Sequence, residues 1–199
     1  MIDIKIDDRA DLKQEILEAA FELFNKNGYE KTTVNEIIKK ANTSKGGFYY
    51  YFKAKEELLN SIYSIFDREY KKFYQSMDKN LDCLMQLKLL GQHISYYIEA
   101  NVTPEILAEL YRSQLKQKQQ ESFWGEDRYY LQLVQSIVEE GQKRGEIRDD
   151  ITAKELTHHI LLLERGIFVD WCVQNGGFPL GYYGERSFTL YSDFMKKTK

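Results

Sequence analysis

The chain has 199 residues, of which 43% are apolar, and 28 basic side chains against 31 acidic ones. The apolar share suffices for a buried core and excludes wholesale disorder. The mild negative balance excludes a protein that coats nucleic acid over its whole surface, yet leaves room for a localised basic site. The longest aliphatic run is Ile160–Leu163, far too short to span a membrane, and MIDIKIDDRADL lacks the cationic start and apolar run of a secretory signal, so a cytoplasmic location is expected. Cys83 and Cys172 lie far apart in apolar surroundings, without metal spacing, and read as buried thiols.

Only two prolines occur, and apolar residues recur at helical spacing throughout, which predicts an all-α fold of about nine helices. The first ten residues read as a frayed lead-in. A helix is expected from Asp11, with Leu12, Ile16, Ala19, Ala20, Leu23 and Phe24 as its apolar stripe and Gly28 as its stop. Thr33-Val34-Asn35-Glu36 is a capping box that opens a second, short helix, which ends at the turn-forming pair Asn42-Thr43. Ser44 caps a third helix of about two turns, whose Phe48 and Phe52 face the core while Lys45, Tyr49 and Tyr50 face outward. A break at Lys53-Ala54 precedes a long fourth helix, 55–77, whose Glu56 and Glu57 suit its positive N-terminal end.

Further helices are expected over Leu81–Glu99, from Pro104 (capped by Thr103) to about Gln119, over Asp127–Lys143, over Ala153–Gln174, and from Tyr182 or Gly184 to Lys197. The chain divides into an N-terminal unit, 1–55, and a helical unit, 56–199, joined by the long helix. No repeats or low-complexity tracts occur.

Between Ile37 and Lys55 there are five lysines and no acidic residue, although the chain as a whole is acidic. A local basic, aromatic-rich patch is the footprint of a polyanion site. Two short helices joined by a tight turn and braced by a first are the helix-turn-helix arrangement.

The stretch TTVNEIIKKANTSKGGFYYYFKAKEELL resembles the N-terminal signature of the TetR family of transcriptional regulators, and the resemblance extends over about residues 12–75. Three departures from the family pattern bear on the helix-turn-helix. Asn42-Thr43 replaces Gly-Val at the turn, where Asn tolerates a left-handed backbone. Gly47 stands where a side chain is common, which removes one reader of the bases. Ala54 replaces the usual polar cap of the fourth helix.

The resemblance implies that Thr33 and Lys55 meet phosphates at helix starts, where backbone amides also favour anions. Tyr49, Tyr50 and Tyr51 offer hydroxyls and ring edges to the backbone of DNA; Tyr51 stands where the family has His. Thr43, Ser44, Lys45, Gly46 and Gly47 open the recognition helix, the part that enters the major groove, and Lys45 suits guanine O6 or N7. The two glycines fit either a close approach of backbone to DNA or a helix that begins only after them. Lys39 and Lys40 read as a solvated helix face.

So short a reader needs a second copy, which implies a homodimer on a palindromic operator in double-stranded DNA. The resemblance places the dimer face on the last two helices, with Leu161, Leu162, Gly166, Phe188, Tyr191 and Phe194 as candidates; internal core is the competing reading for Leu161–Leu163. His93, Tyr96, Tyr97, Tyr111, Trp124, Tyr130, Phe168 and Trp171 are candidates for a pocket that takes a small hydrophobic or aromatic effector. His158 and His159 are adjacent, a poor spacing for metal, and neither a metal nor a cofactor is expected. With no Gly-rich phosphate loop and no catalytic triad, an enzyme is disfavoured. The expected function is a ligand-released repressor; the alternative is a DNA-binding regulator that answers to a protein partner or acts in the nucleoid.

Overall fold

The computed structural model describes residues 7–116 and 128–197. Its helices are α1 Asp7–Asn27, α2 Val34–Lys40, α3 Lys45–Tyr51, α4 Lys55–Ser61, α5 Tyr63–Ser76, α6 Cys83–Asn101, α7 Pro104–Lys116, α8 Tyr129–Lys143, α9 Ala153–Val173 and α10 Leu180–Met195. The expected all-α class is observed. The one β-type pairing among the described residues is an isolated bridge between Ile147 and Lys196.

Three expected boundaries are corrected. α1 begins at Asp7, a turn ahead of Asp11. The long fourth helix is bent at Ile62 into α4 and α5. At the bend the Ser61 hydroxyl donates to the Glu57 carbonyl at 3.0 Å and the Ser64 hydroxyl to the Ser61 carbonyl at 2.7 Å. Such hydroxyls compete for the helix's own acceptors and bend it.

The last helix begins at Leu180 because Glu99, on α6, accepts the amides of Leu180 and Gly181 at 2.9 Å each. That carboxylate is a cap supplied from another helix. The ends expected at Gln119 and Asp127 lie outside the described residues. Elsewhere the local signals hold: Gly28 has φ +82° after α1, Asn42 has φ 48° at the turn, and Thr103 accepts an amide at the start of α7. Asp82 and Thr152 do the same at the starts of α6 and α9.

One apolar cluster runs through the chain, from Ile16 on α1 to Met195 on α10. α10 packs closely along α6. A Cβ on Gly91 would come within 2.4 Å of the Phe188 ring, so the missing side chain is what admits that ring. Phe188 is 2% exposed. Cys83 and Cys172 are free thiols, the first buried and the second half-buried.

Candidate nucleic-acid interface and interior cavity

The N-terminal face is built by two capped helices braced on α1. The Thr33 hydroxyl accepts the Glu36 amide at 3.3 Å, and Glu36 accepts the Thr33 amide at 2.7 Å, completing the capping box. Ser44 accepts the Gly47 amide at 3.0 Å, so α3 is already helical through Gly46 and Gly47. The reading in which the helix begins only after Gly47 is thereby corrected. Phe48 and Phe52 are fully buried with ring centroids 6.1 Å apart, which fixes the rotation of α3. That rotation turns Lys45, Tyr49 and Tyr50 to solvent, Tyr50 being 70% exposed. Tyr50 is held edge-on by half-buried Tyr51, 4.8 Å between centroids.

The expected phosphate contacts divide. Lys45, Ser44 and Gly46 are exposed beside Tyr49 and Tyr50, and Lys39 and Lys53 lie exposed nearby. A Cβ on Gly47 would meet the Thr43 hydroxyl at 2.5 Å, whereas one on Gly46 meets only the Ser44 hydroxyl, at 3.8 Å. Gly47 thus makes room for Thr43, and only Gly46 leaves bare backbone on the outer face. Thr33 also donates its hydroxyl to the Glu36 carboxylate at 2.7 Å. The hydrogen bonds from the Thr33 amide and hydroxyl hold that carboxyl below its ordinary range, so an anion sits beside Thr33.

Lys55 departs furthest from expectation. Its ammonium donates to the carbonyls of Tyr29 (2.8 Å), Thr32 (3.1 Å) and Glu30 (3.3 Å) and lies 4.2 Å from the Tyr29 ring centroid. It ties the α1–α2 connection to α4 and is not turned outward as a phosphate ligand. Ala54 precedes α4 with no side-chain cap; Glu57 accepts the Lys53 amide at 2.8 Å instead.

Behind α5, a cavity of about 50 Å³ is lined by residues that include Phe66, Tyr70, Tyr111, Arg128, Tyr130, Leu131, Leu161, Glu164, Arg165 and Phe168. Tyr130 stacks on Tyr70 at 3.9 Å and donates its hydroxyl to one oxygen of Glu164 at 2.8 Å. Burial pushes the Glu164 carboxyl up to about 7, against the lowering influence of the Tyr130 hydrogen bond and of Arg165 and Arg128. Arg128 is gripped by both oxygens of Asp67, at 2.8 and 2.9 Å, and lies over the Tyr63 ring.

Of the aromatic candidates, Tyr111, Tyr130 and Phe168 line this cavity. His93 instead bonds Glu69 at 3.0 Å and stacks on Phe73; Tyr96 is exposed over Gly181; Tyr97 packs edge-on to Phe66 outside the cavity lining. Trp171 donates to the Phe178 carbonyl at 3.1 Å and pins the α9–α10 connection. Trp124 lies outside the described residues. Phe66 and Tyr70 also line the cavity and are not among the sequence candidates, although Phe66, Tyr70 and Tyr74 recur every fourth residue on one helix.

The expected dimer residues also divide. Phe188 and Leu161 are core, the former seated on Gly91 and the latter on the cavity wall, and both are corrected. Tyr191 is half-buried. Leu162, Gly166 and Phe194 are exposed, joined by Val169, Val173 (77% exposed) and Leu190 (67%). Positions 162, 166, 169 and 173 recur at four, three and four, so they form one apolar stripe on α9. No described helix is long and apolar enough to cross a membrane.

A braced, cored helix that holds a basic, aromatic face outward after a tight turn defines a helix-turn-helix DNA-binding protein. Residues 16–62 match the family described as bacterial regulatory proteins, tetR family. The HTH-type transcriptional regulator QacR of Staphylococcus aureus is 33% identical over 173 residues, covering 82% of this chain and 76% of that protein. A fatty acid metabolism regulator protein of Bacillus subtilis is 29% identical over 148 residues, 70% of this chain and 73% of that one. In fold, the chain is similar to the crystal structure of the TetR family repressor FadR of Thermus thermophilus in complex with lauroyl-CoA. The TM-score is 0.73 at 20% identity, over 94% of this chain and 96% of that one. The chain belongs to the TetR family and is a DNA-binding transcriptional regulator, not an enzyme.

Proposed function

We propose that the chain acts as a homodimeric repressor that sits on a palindromic operator and is released by a small molecule held behind α5. The observation that carries this reading is the shared wall. Phe66 and Tyr70 on α5 line the cavity, while α5 continues through the Ile62 bend into α4, which abuts the helix-turn-helix through Lys55.

A ligand that enlarges the cavity displaces α5, and the bend passes that displacement to α4 and so to the separation of the two recognition helices. Residues 1–55 serve as the DNA unit and 56–199 as the sensing and dimerisation unit. Lys45, Tyr50 and the bare backbone at Gly46 approach the major groove, flanked by Thr43 and Ser44. Tyr49 and Tyr51 steady the helix on the phosphates. The apolar stripe of α9 with Phe194 and Leu190 of α10 forms the dimer contact.

The second reading, a regulator with no small-molecule effector, is favoured by one observation: about 50 Å³ is far below the several hundred Å³ of an ordinary ligand pocket. Anisotropy of operator DNA, titrated with protein while a ligand panel that includes acyl-CoAs is screened, decides between them. Release by a compound that also raises the melting temperature supports the first; no release by any member supports the second.

A further inference from the structure

A crevice of about 350 Å³ lies where the α1–α2 connection meets α4 and α7, and it shares no lining residue with the interior cavity. Its lining includes Tyr29, Glu30, Glu56, Leu59, Glu109 and Arg112. Tyr29 and Glu30 belong to the connection, Glu56 and Leu59 to α4, and Glu109 and Arg112 to α7.

Tyr29 is 5% exposed, and its hydroxyl is buried with no hydrogen-bond partner among the described residues. The ring is fixed in place. The Lys55 ammonium lies 4.2 Å from its centroid, and Phe24 packs edge-on at 5.1 Å. Burial first, then the charges of Glu56, Glu30 and Glu109, push the phenol above its ordinary range. Those three carboxylates line the crevice, so the hydroxyl is turned toward it. A buried hydroxyl without a partner is costly unless something supplies one.

The charges around that hydroxyl do not cancel. The lining holds three carboxylates, Glu30, Glu56 and Glu109, against two cations, Lys55 and Arg112. Lys55 directs its ammonium to the carbonyls of Tyr29, Glu30 and Thr32. Arg112 is shared between Glu109, at 2.6 and 2.9 Å, and Glu30, at 3.3 Å. Glu56 is exposed, and among the described residues its carboxylate has neither a hydrogen bond nor an ion pair. The excess negative charge therefore sits at Glu56. No group of carboxylate, His or Cys side chains among the described residues could hold a metal ion, so the crevice suits a larger cation that hydrogen-bonds.

We propose that this crevice binds a small organic cation with N–H donors, a guanidinium or a primary ammonium, that donates to the Glu56 carboxylate and to the Tyr29 hydroxyl oxygen. Its carbon chain lies against Leu59. Charge-assisted hydrogen bonds to a carboxylate are the strong kind, and a planar guanidinium can offer two of them at once. A bound cation joins the α1–α2 connection to α4 and α7. The site is separate from the cavity behind α5 and does not rest on the effector reading.

The test uses the full-length protein with four probes, butylguanidine, butylamine, tetramethylammonium and butyrate, measured by calorimetry and by thermal shift. Butylguanidine is expected to bind at least about tenfold tighter than tetramethylammonium, which has the charge but no N–H. Butylamine should fall between them, and butyrate should not bind. Tyr29→Phe keeps the ring and should weaken butylguanidine several-fold, with the fold checked by circular dichroism. Glu56→Gln, on the exposed surface, should weaken it about tenfold. Glu164→Gln, in the interior cavity, should bind it as wild type does. Tetramethylammonium binding as tightly as butylguanidine, or no binding of either, would overturn the proposal. So would undiminished binding in both Tyr29→Phe and Glu56→Gln, or a loss in Glu164→Gln, which would place the cation in the cavity instead.

Discussion

Replacing Glu164 with Gln should make the protein more stable at neutral and alkaline pH and no different in acid. The carboxyl is buried against aromatic rings with one hydrogen bond, from Tyr130, and burial lifts it from its ordinary 4.5 to about 7. The folded state therefore holds a proton that the unfolded chain has already released, between pH 4.5 and about 7. Where the native state binds the extra proton, stability falls as pH rises, by about 1.4 kcal/mol per pH unit. Over that window the loss is about 3 kcal/mol, complete once pH has passed the folded value. Gln keeps an oxygen for the Tyr130 hydroxyl and has nothing to ionise. Denaturant titration at fixed protein concentration, across that window, should show wild-type stability declining while Glu164→Gln stays flat. Above the window the variant should melt about 6–12 °C higher. Parallel curves for the two proteins would refute the reasoning, because they would mean that Glu164 ionises as easily folded as unfolded.

Three further outcomes follow from local geometry. Ala54→Ser gives the unsupported start of α4 a side-chain acceptor, worth about 1 kcal/mol and a higher melting temperature; an unchanged value would remove Ala54 from the cap position. Gly91→Ala drives a methyl into the Phe188 ring and should cost about 1–3 kcal/mol in a thermal melt, and a neutral result would show that α6 and α10 are not in close contact. Lys55→Ala leaves three carbonyls without their donor and should lower stability by about 1–3 kcal/mol. Because that ammonium faces inward, the dependence of operator affinity on salt should keep its slope, and a slope shallower by about one would restore Lys55 as a phosphate ligand.

What was legible in the sequence was what is decided within a few residues. The Thr33–Glu36 capping box, the Ser44 cap, the left-handed turn at Asn42 and the inward Phe48 and Phe52 all depend on neighbours one turn away, and the structure has each of them. The start of α10 was misplaced because its cap is Glu99, which lies on α6. The bend at Ile62 depends on two serine hydroxyls that would be unremarkable on a straight helix. Phe188 looked like an interface residue because an apolar helix face does not say which neighbour covers it; Gly91 decides that from the opposite helix. Lys55 carried the family's expectation of phosphate, yet the three carbonyls that hold it come from the loop before α2, which its own flanking residues do not show. The candidate cavity was half legible: Tyr111, Tyr130 and Phe168 line it, but which aromatics converge depends on helix rotation set by the whole core.

The central claim is that two copies of the α3 face read one operator. Selecting bound sites from a random duplex pool with the purified protein tests it most directly. The expected product is an inverted repeat whose half-sites lie about one helical turn apart, ~34–36 Å between centres, and which Lys45→Ala and Tyr50→Ala no longer retain. Recovery of a single unrepeated half-site, or of bound DNA that both variants hold as tightly as wild type, would contradict it.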